Sequence, residues 1–363
     1  HMDSRAVIKD DIKDVISALG ADVNRLSGKT VLITGPSGLL GSYLVDTIAE
    51  LNDRKILEYP CRVIGLSRSP VTPLSRLGHL LGRTDMNFIV HDVAQPLPLK
   101  EKIDFIIHAA GRSAPAIFQA DPLGTIDVNI GGIRWLLDYA KDSNVESVLY
   151  MSSGEIYGNP PPEFIPTSET YAGNVSPLSP RACYIESKRL AETLCLVYWE
   201  QFGVPAKIAR PFIVYGPGLL VEDRRVMADF MRLGIEGKPI TMLTSGEDTR
   251  SYCYIADASV VFWKILFSNY NGEPFNVASD MEEVSIKELA ELIHRICGIH
   301  APVGVPKIQN KDIAFLSASP HRVKPDISKI RERFAFNPRI GLAEGMRRTI
   351  NWNLLRMGKP ALS

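Results

Sequence analysis

The segment that most restricts this chain runs from Lys29 to Leu51. A short β-branched apolar run, Lys29 to Thr34 (KTVLIT), passes directly into Gly35-Pro36-Ser37-Gly38-Leu39-Leu40-Gly41 and then into a helical apolar pattern. An apolar run of that length reads as a buried parallel strand, because a strand covered on both faces needs no polar alternation. Glycines three residues apart let the backbone turn sharply at the strand end and let phosphates approach it. The following helix offers unpaired N–H groups and the positive end of its dipole at the same spot. Together these features predict a dinucleotide-binding unit, with Gly35, Ser37, Gly38, Leu39, Leu40 and Gly41 against the pyrophosphate.

The alternation continues. Cys61 to Leu66, Asn87 to His91, Ile103 to His108, Val145 to Met151 and Pro205 to Arg210 read as further strands, and helical patterns occupy 121–142 and 181–202. The expected fold class is α/β: a Rossmann-type doubly wound parallel sheet with a smaller C-terminal α/β substrate domain. Residues 69–86, rich in Pro, Gly and Arg, read as a long connection. The expected division is an N-terminal helical extension over 1–27, a dinucleotide-binding domain over 28–212 and a mainly substrate-binding part over 213–363. Segments near 250–278 are expected to return to the main sheet, with a strand at 273–278 and a helix at 286–297. In the extension, Val7, Ile8, Ile12, Val15, Ile16 and Leu19 share one face, which predicts a helix docked on the main body.

Ligands of such sheets sit beyond the carboxyl ends of the strands. The second strand ends in Ser67-Arg68, where an acid would bind the ribose 2′-hydroxyl of NAD. A hydroxyl and a guanidinium suit the 2′-phosphate of NADP; a solvent-facing arginine beside backbone-held NAD is the other reading. Asp92 and Val93 are placed to meet adenine, and Ala109, Ala110 and Gly111 are small enough to let a cofactor approach, with Asn129 on the helix that follows.

Tyr184 and Lys188 stand one helical turn apart and project from the same face. A phenol with a pKa near 10 is a poor base at neutrality, and an adjacent ammonium is expected to pull it toward the working range. Ser153, at the end of the fifth strand, can hydrogen-bond a substrate hydroxyl or carbonyl beside that phenol, and Glu155 offers a general acid/base or an orienting carboxylate. The stretch 158–180 holds six prolines and reads as an irregular wall or lid between these elements.

Lys+Arg and Asp+Glu balance at 41 each, so no global field attracts nucleic acid or an anionic membrane. No run approaches the ~20 apolar residues of a membrane span, the N-terminus has no apolar signal core, and His1-Met2 reads as a cloning remnant. Five scattered cysteines without a C-x-x-C suggest reduced thiols and a cytoplasmic setting, and no metal-ligand cluster stands out.

These residues resemble the extended short-chain dehydrogenase/reductases that act on nucleotide sugars, the NAD-dependent epimerase/dehydratase family, and among them most closely the UDP-glucuronate decarboxylases (UDP-xylose synthases). The likeness is carried by Ser179-Pro180-Arg181-Ala182-Cys183-Tyr184, Ser187-Lys188-Arg189-Leu190-Ala191-Glu192-Thr193, Ile208-Ala209-Arg210-Pro211-Phe212, Tyr215-Gly216-Pro217 and Thr249-Arg250-Ser251-Tyr252-Cys253-Tyr254. The resemblance implies that Tyr184 is the base and Lys188 its tuning partner, that Ser153 and Glu155 take the family's Ser/Thr and glutamate places, and that Arg250 lies near the sugar or diphosphate. It further implies that Ser113, Arg225 and Met242, within Ile240–Leu243, line the substrate, that Pro211 and Ile213 flank the cofactor, and that helices 121–142 and 181–202 pair across a homodimer. Three positions depart from the pattern. Gly154 replaces the middle hydroxyl of Thr-Ser-Glu and the aspartate of 4,6-dehydratases, Ile213 replaces an asparagine, and Ser67-Arg68 replaces the second-strand acid. The implied activity is oxidation of a nucleotide sugar, UDP-linked by this likeness, at C4 with bound NAD(P)+, followed by decarboxylation. A 4-epimerase, a 4,6-dehydratase and an NADPH-dependent 4-ketoreductase are the alternatives, and a non-catalytic dinucleotide sensor is the remote one.

Overall fold

Seven apolar strands pair through their backbones into one parallel surface. β1 (Thr30–Thr34) lies between β2 (Arg62–Ser67) and β4 (Phe105–His108), and β3 (Met86–Val90) forms the edge beyond β2. β5 (Ser147–Met151), β6 (Ala206–Pro211) and β10 (Pro274–Val277) extend the other side. The computed structural model describes residues 3–111, 114–223, 225–306 and 319–363. Register sets Thr34 beside Leu66 and His108, His108 beside Tyr150, and Met151 beside Ala209. The residues that follow β1, β4 and β5, namely Gly35, Ala109 and Ser152, therefore meet along one edge near Pro211.

Both faces of the sheet are covered, which is why its strands carry unbroken apolar runs. Val31 and Ile33 join a core with α1 (Ser4–Leu19), α2 (Leu39–Asp53) and α7 (Ile255–Phe267). Leu32, pointing the other way, joins a core with α4 (Pro122–Ser143) and α5 (Ala182–Phe202). The helical pattern at 121–142 is preceded by an extra short helix, α3 (Pro115–Ala120). The break falls at Asp121-Pro122: Pro122 has no N–H to continue α3, and the Asp121 carboxylate caps α4 by accepting from Gly124 N at 3.0 Å.

Outside the main sheet, β7 (Ile213–Tyr215) pairs with β9 (Tyr252–Tyr254), and β8 (Thr249–Arg250) pairs antiparallel with β11 (Val284–Ser285). α6 (Val226–Ile235) packs on α8 (Ile286–Cys297), which starts with a reciprocal Ser285/Glu288 cap. On α1 the apolar face contains a fully buried acid, Asp11. Its carboxylate accepts from the Tyr43 hydroxyl at 2.8 Å, the Tyr254 hydroxyl at 2.6 Å and Arg348 Nη1 at 2.9 Å. One group thus joins α1 to α2, β9 and the C-terminal helix Leu342–Arg356. All five cysteines are free, and among the described residues no helix is long and apolar enough to cross a membrane.

A second buried network lies under the sheet's carboxyl edge. Arg210, at the end of β6, donates to both Glu192 carboxylate oxygens on α5, with the shortest contact 2.6 Å, and to the Tyr157 hydroxyl at 2.8 Å. Ser152 Oγ donates to Glu192, Tyr157 donates to Asn276 Oδ1 on β10, and Asn276 Nδ2 donates to the carbonyls of Thr167 and Asp326. Removing one partner of such a pair strands the other charge away from water. Glu192→Gln is expected to lower unfolding stability by about 3–5 kcal/mol in a urea titration. A Glu192→Leu/Arg210→Met double variant should recover much of that loss, and a double variant as unstable as the single one would refute the stranded-charge account.

Candidate active site

The turn after β1 is shaped by contacts that exclude side chains. Gly35 has φ +67°, and a Cβ there would lie 2.8 Å from the Ala110 N and Cα. A Cβ on Gly41 would strike the Gly35 carbonyl oxygen. Gly38 caps α2 without a side-chain hydrogen bond, and the first turn of α2 carries no acid. Ser37 and Gly38 are exposed, and Leu39 and Leu40 are half-buried. This is a cradle of open backbone donors at a helix N-terminus, fit for a pyrophosphate.

At the next strand end, Ala110 N donates to Thr34 Oγ1 at 3.1 Å, and that hydroxyl meets His108 Nδ1 at 2.6 Å. A Cβ on Gly111 would sit 3.4 Å from Lys188 Nζ and 3.8 Å from Asn129 Oδ1, so these three groups converge. Asn129 Nδ2 donates to Ser187 Oγ at 2.9 Å, while its buried Oδ1 has no protein partner. A buried acceptor beside a cation and a bare backbone fits the polar end of a dinucleotide. Toward the adenosine side, Ser67 Oγ donates to the Ser69 carbonyl at 2.8 Å and Arg68 is exposed. The exposed Asp92 carboxylate accepts from Ala94 N, and buried Val93 receives the Trp135 indole N–H on its carbonyl. Pro211 ends β6 and Ile213, 36% exposed, opens β7 on the same side.

α5 starts at Ala182, so Tyr184 and Lys188 occupy its first turns. The Tyr184 ring is buried and stacked on Phe118 of α3, with centroids 5.1 Å apart. Lys188 Nζ donates to the Met151 carbonyl at 2.8 Å and lies 5.0 Å from the Tyr150 ring centroid but 5.9 Å from that of Tyr184. The expected direction of tuning is corrected here. Burial and the Glu155 charge push the Tyr184 phenol above its ordinary value, and the groups that draw it back are the Ser153 hydroxyl and Arg225, not Lys188. Lys188 itself is lowered to about 8 by burial, against the opposing charge of Glu192 one turn on. Ser153 caps the 3₁₀ turn Gly154–Tyr157, accepting from Glu155 N at 3.1 Å.

Glu155 lies among guanidinium groups. Arg181 Nη1 donates to its Oε1 at 2.6 Å, and Arg225 and Arg250 act on it by charge. Enclosure by the surrounding protein nonetheless outweighs these cations and holds the carboxyl above the usual range, although the side chain is 38% exposed at the mouth of the site. The absence of a side chain at 154 also has a local cause, since a Cβ there would lie 2.6 Å from the Phe212 ring. Arg189 Nη1 ties the 158–180 wall down by donating to the carbonyls of Ile156 at 2.9 Å and Ala172 at 2.8 Å.

Of the expected substrate residues, Arg225 precedes α6 and Arg250 lies on β8, both acting on Glu155, while Ser113 lies outside the described residues. Met242 is a correction: its side chain is buried in the core against Gly246 and its N–H goes to the Gly304 carbonyl, so it presents no free face to a nucleotide. Arg181 and Phe118 were not singled out as site residues. Arg181 stands in the matched stretch, but its partners are 26 and 138 residues away, and no local pattern points to them.

Residues 31–278 match the NAD dependent epimerase/dehydratase family. The chain belongs to that family. As a member, it is an enzyme of the extended short-chain dehydrogenase type. It is 33% identical over 327 residues to UDP-glucuronic acid decarboxylase 1 of Xenopus tropicalis, covering 89% of this chain and 72% of the relative. Against UDP-glucuronic acid decarboxylase 3 of Arabidopsis thaliana the figures are 32% identity, 87% and 86%. Among solved structures, the fold matches UDP-glucose 4-epimerase of Thermotoga maritima with UDP-glucose (TM-score 0.73, 20% identity, 89% of this chain and 98% of that one). It also matches UDP-glucuronic acid 4-epimerase of Bacillus cereus with UDP-glucuronic acid and NAD (TM-score 0.70, 24% identity, 89% and 98%).

Because the fold favours neutral Lys188, the unfolded chain binds more protons between about pH 8 and 10.5, and this residue's contribution to stability rises with pH across that window. NMR of ¹³Cε-labelled lysine should show a resonance titrating near pH 8 that disappears in Lys188→Met. A Lys188 resonance titrating at the ordinary lysine value would overturn this.

Proposed function

We propose that this family member decarboxylates a UDP-linked uronic acid to a UDP-linked pentose, as UDP-glucuronate decarboxylases do. The carrying observation is the cluster of Arg181, Arg225 and Arg250 around Glu155, beside Tyr184 and Ser153. Three cations at the reacting end suit a sugar that brings a carboxylate as well as a diphosphate, and a neutral hexose needs fewer. Identity of 31–33% to several proteins named UDP-glucuronic acid decarboxylase supports the same reading. A 4,6-dehydratase is disfavoured because Phe212 crowds the position where its aspartate would stand.

When bound, NAD(P)+ would supply a reversible hydride acceptor for C4 of the sugar. Gly35, Gly38 and Gly41 would hold its pyrophosphate, and Asn129 and Lys188 its nicotinamide end. Tyr184 takes the 4-hydroxyl proton, with Ser153 and Arg225 lowering the cost of the phenolate. The resulting 4-keto acid loses CO2 because the ketone accepts the electron pair, and Ser153 and Tyr184 hold the enolate oxygen. Glu155, reprotonated from solvent in each cycle, gives a proton to C5. One external proton is thus consumed per turnover, and Tyr184 returns its own proton to the 4-oxygen.

A second reading rests on Ser67-Arg68: an exposed guanidinium in place of an acid at the end of β2 favours NADP, as an NADPH-dependent 4-ketoreductase would use. Exposed Leu123 and Ile126 on α4 and Leu190 and Leu196 on α5 support a homodimer through those helices. The five free thiols support a reducing, cytoplasmic setting.

Incubation with UDP-glucuronate and no added reductant should release CO2 and a UDP-pentose, detected by mass spectrometry and NMR. Unchanged mass with inverted C4 would refute decarboxylation in favour of epimerisation, and turnover dependent on added NADPH would favour the ketoreductase. Tyr184→Phe should lower kcat on the order of 10²–10⁴-fold, as loss of a general base does.

A further inference from the structure

Arg181 immediately precedes α5, three residues before Tyr184, and its side chain makes no helix cap. Its backbone is held by Ser179 Oγ, which accepts its N–H at 3.2 Å, and by Ile185 N, which donates to its carbonyl at 3.1 Å. The guanidinium instead spans two distant segments, reaching Glu155 Oε1 at 2.6 Å and Ser319 Oγ at 2.7 Å. Arg181 is 11% exposed and Glu155 38%, so the pair lies at the lip of the site, where one partner is fixed and the other still meets solvent. Glu155 is also held by its backbone, through the N–H donated to Ser153.

We propose that Arg181 is a positioning residue for Glu155, holding the carboxylate in one orientation beside Tyr184 and supplying the counter-charge against which it gains and loses its proton. The groups facing Glu155 are Arg181 just before α5, Tyr184 on α5, Arg225 just before α6 and Arg250 on β8. Arg181 is the foremost of those opposing burial, acting through a side-chain hydrogen bond as well as charge. Removing it leaves burial less opposed, so Glu155 stays protonated to higher pH. The inference rests on Glu155 as the acid of the proposed reaction, but the pair can be examined without any sugar.

Infrared difference spectroscopy of the enzyme with bound dinucleotide, subtracting Glu155→Gln, isolates this carboxyl's titration. In Arg181→Gln the midpoint should move up by about 1–3 pH units. Arg181→Lys, which keeps the charge but loses the fork, should move it less. On UDP-glucuronate, Arg181→Gln should lower kcat more than it changes KM, and the alkaline limb of kcat should follow the infrared midpoint. An unchanged midpoint in Arg181→Gln refutes the proposal. Should that variant fail to fold by circular dichroism, Ser319→Ala, which frees the far end of the guanidinium, decides instead: a smaller upward move supports the proposal and no move refutes it. If the midpoint moves while UDP-glucuronate is not decarboxylated, the uronate reading fails and the pair stands.

Discussion

A guanidinium withdrawn from water sets the terms for this site. Arg210 comes to the end of β6 because the strand delivers it there, and its charge is tolerable only because Glu192 reaches it from α5. Glu192 is one turn from Lys188 and is bonded by Ser152, the neighbour of Ser153. The same guanidinium fixes Tyr157, which fixes Asn276, which takes the carbonyls of Thr167 in the wall and Asp326 beyond it. Strand ends, helix and wall are therefore held by one set of hydrogen bonds, and none moves without exposing an unpaired charge. Rigidity of this kind keeps reacting groups within hydrogen-bonding reach.

Charge is distributed unevenly around this frame. The chain as a whole is neutral, with 41 residues of each sign, yet Arg181, Arg225 and Arg250 gather at a single carboxylate. Long-range attraction is thus weak, and selectivity for a nucleotide sugar falls to contacts made inside the cleft. Burial works in two directions on the residues there, discouraging both the Tyr184 phenolate and the Lys188 ammonium. Each must be stabilised by what surrounds it rather than simply by the other.

Much of the architecture was readable because its causes are local. β1 starts at Thr30 and α8 spans Ile286–Cys297 because apolar runs, glycines and a Ser/Glu cap act over a few residues. The glycines of the 35–41 turn were readable for the same reason. The Arg181–Glu155 pair, the Glu192–Arg210 pair and the Phe118–Tyr184 stack were not, since each joins residues brought together only by the sheet. One helical turn between Tyr184 and Lys188 was legible, but the influence of one on the other was not. That depends on where the ammonium points, and a backbone carbonyl of β5 decides it. Met242 was misread because position in a matched stretch does not say which way a side chain faces.

The buried carboxylate of Asp11 bears on how the molecule is made. Its partners are Tyr43, Tyr254 and Arg348, so the last of them in sequence belongs to the helix Leu342–Arg356. Because synthesis runs from N- to C-terminus, α1 cannot complete its buried contacts until the helix Leu342–Arg356 has left the ribosome. Until then an acid and an apolar face remain unsatisfied together. α1 is therefore made well before it can be locked, and it closes together with the helix Leu342–Arg356 as one event.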